Sequence, residues 1–206
     1  MEHLSPVPES VIDALPVLDA NQLGRSIRRH TEMEGLPDLD GIKVAIVGVQ
    51  EDRRAYRNVG CDGAADAIRP FLYQLYKGKW DYGIADLGNL YKGERHTDTL
   101  LSLKEIAQEL LQRQIILITI GGSQELTYAN YRGYDSLEQT VNIVSVDARL
   151  DVGSEGRDLD HRATFLILSS KNHTIFTTSQ TSATRHILIV RKKLGSSTNF
   201  FSKPSD

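Results

Sequence analysis

Three apolar runs rich in β-branched residues constrain the fold of this chain more than any other feature: residues 43–49 (KVAIVGV), 115–120 (IILITI) and 141–146 (VNIVSV). Each is continuous rather than alternating, the pattern of a strand buried on both faces. Residues 82–90 form a weaker run of the same kind. Helical periodicity fills the gaps. Asp62 stands where it can cap a helix whose apolar face is Ala64, Ala67, Ile68, Phe71, Leu72 and Leu75, with Pro70 expected to kink that helix or delay its start. Thr97 is placed to cap a second, in which Leu100, Leu103, Ile106, Ala107 and Leu110 recur at three- and four-residue steps. Residues 124–134 read as a third. Strands alternating with helices predict an α/β fold with a mainly parallel sheet covered on both faces.

Composition sets the outer bounds. A chain of 206 residues, 40% hydrophobic and 25% charged, is expected to build one globular domain. Residues 1–40, with Pro6, Pro8, Pro16 and Pro37, read as an irregular arm carrying one helix around residues 21–30. A net charge of -3 gives no general attraction for nucleic acid or a membrane surface, so small molecules or other proteins are the expected partners, with a homo-oligomer left open. Cys61 is the sole cysteine, which forbids an internal disulfide and suits a reducing compartment. Its side chain is expected to be a small buried one. No apolar stretch approaches the roughly 20 residues that span a bilayer, and the start lacks the basic-then-apolar layout of a signal peptide. A cytoplasmic location is the resulting expectation.

The chemistry concentrates where two of the apolar runs end. One runs into Gly121-Gly122-Ser123-Gln124, the other into Asp147-Ala-Arg149-Leu-Asp151. Residues leaving the carboxyl ends of buried strands line the crevice of an open α/β sheet, where two carboxylates at i and i+4 can converge on a cation. Arg149, a permanent cation, lies between them. The run Gly48-Val-Gln-Glu51 does not make the G-x-G-x-x-G turn that a dinucleotide needs. His161, in Asp158-Leu-Asp160-His161, reads as a solvated or core histidine with a metal approach as the lesser reading, and Arg53-Arg54 and Lys192-Lys193 read as solvated charges.

Taken in order, Gly48-Val-Gln-Glu51-Asp52, Asn58-Val-Gly-Cys61-Asp62-Gly63, Ala67-Ile-Arg69, Gly121-Gly122-Ser123-Gln124 and Asp147-Ala-Arg149-Leu-Asp151 resemble the ureohydrolase family: arginase, agmatinase and especially formimidoylglutamase. The resemblance spans residues 41–166. It implies a three-layer α/β/α fold, incomplete at the carboxy terminus, and two manganese ions that activate a hydroxide to attack a guanidino or formimino carbon. The family's motifs are Gly-Gly-Asp-His, Asp-Ala-His-x-Asp and a later Ser-x-Asp-x-Asp. By position, Asp147 then matches a bridging metal ligand and Asp151 a ligand of one ion. Gln124 and Arg149 stand where two histidine ligands would be.

These replacements change the chemistry. Glutamine offers a neutral carbonyl oxygen, a weaker donor than imidazole to a transition metal. A guanidinium about 4 Å from a divalent ion is repelled by about 8 kcal/mol at an effective dielectric near 20. Arg149 is therefore expected to replace the metal by lying across Asp147 and Asp151 as a charge-assisted pair. The resemblance names manganese; these residues predict that the chain does not hold it and is inactive as it stands. Two readings compete with this one. Asp147 and Asp151 can simply turn the chain after a strand. A non-catalytic homologue can hold an anionic or amino-acid-like ligand through Arg149 and the Gly121, Gly122 and Ser123 turn, although such turns are often purely structural.

Residues 167–206 differ in character. Ser and Thr are frequent, the only acid after Ser169 is Asp206, and no helical or alternating framework surrounds the apolar runs. Where the family continues with a string similar to Asn-Ile-Gly-Tyr-Gln-Thr-Tyr, this chain has Gln180-Thr-Ser-Ala-Thr-Arg-His-Ile187. Codons read one nucleotide out of step can interconvert the two. An out-of-frame or disordered tail, with a shift between residues 164 and 170, is the expectation, and with it the loss of the third motif and of later strands. An apolar sheet edge and poor solubility would follow.

Overall fold

The computed structural model describes residues 1–55 and 58–137 together with the backbone of three later strands. The first sheet is built on β3 (Ile42–Val49), which pairs in parallel with β4 (Gly83–Leu90) on one side and β5 (Ile116–Ile120) on the other. These are three of the apolar runs, each within two residues of its expected limits. Alternate residues of β3 serve opposite faces. Ala45, Val47 and Val49 join Leu100, Leu103, Ile106 and Leu110 of α3 (His96–Gln112) and Leu126 and Ala129 of α4 (Leu126–Asp135) in one core. Ile46, on the other face, packs with Tyr73 of α2 (Ala64–Gln74) and Ile27 in a second. Helices therefore cover both faces, as the unbroken apolar strands require.

The amino-terminal arm is more ordered than its prolines suggest. β1 (Leu4–Ser5) pairs antiparallel with β4, and β2 (Arg28–Arg29) pairs parallel with it further along. A short helix α1 (Glu9–Asp13) lies between them. The helix expected around residues 21–30 is instead a single 3-10 turn, Leu23–Arg25, followed by β2. The unpaired edge of β4 explains this outcome, because His30 can satisfy its own amide on Asp86 O and its ring Nδ1 at 3.0 Å from Leu87 O only in extended form.

α2 departs furthest from its sequence reading. Its inward side chains are Ala65, Arg69 and Tyr73, whereas Ile68, Phe71 and Leu75 are exposed. A buried ionic network has overridden the apolar stripe. The Arg69 guanidinium donates to both oxygens of Asp86, to Asp66, to Asn89 Oδ1 and to the Gly88 carbonyl, and Tyr73 Oη donates to Asp86 Oδ2 at 2.9 Å. Gly48 is required beneath it, since a Cβ there would lie 2.1 Å from Asn89 Oδ1 and 2.6 Å from Ala65 Cβ. The helix runs through Pro70 without ending. It begins after a 3-10 turn, Cys61–Gly63, and Asp62 makes no capping bond to it. At α3 the start is fixed not by Thr97 but by Asp98, whose carboxylate accepts from the Arg95 amide at 2.9 Å.

The run at 141–146 forms β6 (Asn142–Asp147), but not as a further strand of the parallel sheet. It pairs antiparallel with β8 (His186–Lys192), which pairs antiparallel with β7 (His173–Thr178), in a separate sheet of order β6-β8-β7. Two segments of the tail expected to lack a framework are thus strands. The β8 sequence HILIVRK offers a β-branched edge that matches β6 over six residue pairs.

Candidate functional site

The carboxyl ends of β3, β4 and β5 converge on one rim, and the turns that leave them hold the candidate site. Gly121 and Gly122 both adopt positive φ, +82° and +83°, which lets the chain reverse sharply from β5 toward α4. A Cβ on Gly122 would meet Leu126 Cδ1 at 2.2 Å and the Glu51 carbonyl at 3.1 Å. The turn is tied to its neighbours by its own amides: Gly122 N donates to Cys61 O at 3.0 Å and Ser123 N to Glu51 O at 2.8 Å. Two of the amides that an anion would need are therefore already engaged, which leaves the turn with less to offer a ligand than its glycines suggest. Gln124 follows, half-buried at the start of the helical segment.

Glu125 comes next, and sequence reasoning passed over it. Its side chain is fully buried, with Oε1 2.5 Å from Ser123 Oγ and 2.9 Å from His96 Nε2. His96 opens α3, so this contact pins the start of one helix to the start of another. Among the described residues, Glu125 Oε2 is a buried side-chain oxygen without a hydrogen-bond partner. Its signal in the sequence is positional: the resembled motif has an acid at the place of Ser123, and here an acid appears two residues later.

The turn after β3 carries two more acids, each with its own cation. Glu51, fully buried, accepts from Arg53 Nη2 at 2.5 Å and from Arg53 Nε, and Arg53 reaches on to Thr99 Oγ1 and the Glu94 carbonyl. Burial pushes the Glu51 carboxyl up, but the Arg53 hydrogen bonds outweigh it and hold the group below its ordinary value. Arg53, expected with Arg54 to be a solvated charge, is instead tied to Glu51 and Thr99. Lys92, leaving β4, donates to Asp52 Oδ1 at 2.5 Å and to Asp62 Oδ2 at 2.8 Å, while Asp52 also accepts from the Gly60 amide. This is where Asp62 is used instead of capping α2. Lys92 holds the Asp52 carboxyl below its ordinary value, and Asp52 raises the Lys92 ammonium. Cys61 is half-buried, and burial, assisted by the Asp52 charge, pushes its thiol up.

Asp147 ends β6; nothing is described of its side chain, and Arg149, Asp151 and His161 lie outside the described residues. Of the expected site residues the structure thus brings together Gly121, Gly122, Ser123 and Gln124. Among the described residues no group of three or more His, Cys, Asp or Glu side chains is gathered to hold a metal ion. Among the described residues, the rim's oxygen donors are the amide of Gln124 and the carboxylates of Glu51, Asp52, Asp62 and Glu125, which pair with Arg53, Lys92 and His96. No described helix is long and apolar enough to cross a membrane.

Comparison with known proteins places this arrangement. The arginase family model matches residues 42–189. Among curated proteins, the formimidoylglutamase of Streptococcus gordonii is 29% identical over 125 residues, 57% of this chain and 38% of that protein, and the formimidoylglutamase of Macrococcus caseolyticus is 30% identical over 115 residues, 53% and 37%. The chain spans about two fifths of the length of these relatives. Among solved structures, Bacillus subtilis formimidoylglutamase superposes with a TM-score of 0.61 at 17% identity, covering 76% of this chain and 51% of that one. Trypanosoma cruzi formiminoglutamase with manganese superposes at 0.59 and 20% identity, covering 73% and 53%. These structures share the fold, a mixed and mostly parallel sheet flanked by helices. The family model, which covers well over half of the sequence, settles membership: this chain belongs to the arginase family.

Proposed function

We propose that this chain is a formimidoylglutamase-like member of the arginase family whose manganese centre has been lost. The parent reaction is hydrolysis of a formimino or guanidino C–N bond in a small substrate, with manganese supplying the activated water when bound. The observation that carries the proposal is Gln124 at the mouth of the β5 turn, on a rim where four acids are paired with His96, Arg53 and Lys92. In the same reading Arg149 occupies the place of a second histidine and lies across Asp147 and Asp151. The competing reading, a ligand held by Arg149 and the Gly121, Gly122 and Ser123 turn, has less support because the Gly122 and Ser123 amides already donate to protein carbonyls. Incubating the protein with formiminoglutamate and excess manganese tests the proposal. No glutamate or formamide above the uncatalysed background is expected; turnover abolished by a chelator would refute it.

A further inference from the structure

We draw no further inference here: the strongest candidate, the buried side-chain cluster of Ser123, Glu125 and His96 where the β5 turn meets the starts of α3 and α4, with Glu125 Oε2 lacking a hydrogen-bond partner among the described residues, belongs to the site already described, and nothing in the structure shows what would answer that oxygen.

Discussion

Removing the Arg69 side chain leaves the Asp86 carboxylate buried with only Tyr73 Oη and the Gly88 amide to answer it. Burial works to lower the Arg69 basicity, yet the Asp86 hydrogen bonds outweigh it and raise it. Arg69→Ala should therefore cost about 3–5 kcal/mol, the range for breaking a buried ion pair, measured by urea unfolding. Tyr73→Phe removes one charge-assisted hydrogen bond and should cost about 1.5–3 kcal/mol. A loss under about 1 kcal/mol for Arg69→Ala would contradict a stabilising role for this buried pair. At the rim, Lys92 links the acids Asp52 and Asp62, and the sign of its pH dependence can be worked out. Asp52 lies below its ordinary 3.8, so its contribution is present above that value and is lost as pH falls through the depressed one. Lys92 lies above its ordinary 10.5, so its contribution is present below that value and is lost as pH rises through the raised one. Both groups meet solvent, which limits the effect to at most about 1 kcal/mol. Lys92→Met should flatten the stability profile at both ends, with the middle of the range lowered by the same small amount.

At the level of elements, strands were more legible than helix faces. A run such as VAIVGV states both its extent and its double burial, and β3 duly has a helix layer on each side. α2 was misread because hydropathy gives Arg69 and Tyr73 to solvent, and only the partner on β4, Asp86, brings them inside. No local pattern carries that information. The arm was illegible for a similar reason, since β1 and β2 are two-residue strands that exist only against β4. Pro70 within α2 gives a direct test of how far tertiary contacts override propensity. It removes one backbone donor from the helix interior, so Pro70→Ala should stabilise the chain by about 1–3 kcal/mol in chemical denaturation. A loss of stability would show that packing of the pyrrolidine ring outweighs the missing hydrogen bond.

Across the whole molecule, family membership was legible because the motifs recur in order over a long stretch, while the state of the site was legible only in part. Gln124 could be placed from the sequence, and the structure sets it at the rim. The pairing of Lys92 with Asp52 and Asp62 and of Glu125 with His96 joins turns far apart in the chain, and like the local pairing of Glu51 with Arg53 it left no mark beyond scattered charges. These pairings bear on the central claim. A rim where Glu51, Asp52 and Asp62 are already matched by Arg53 and Lys92 has little need of a metal, and Arg149 in the place of a histidine would oppose one. The most direct measurement is manganese content: incubate the full chain with manganese, remove free ion by gel filtration, and determine bound metal by mass spectrometry. Well under one retained ion per chain is the expected result. Two tightly held manganese ions per chain would contradict it.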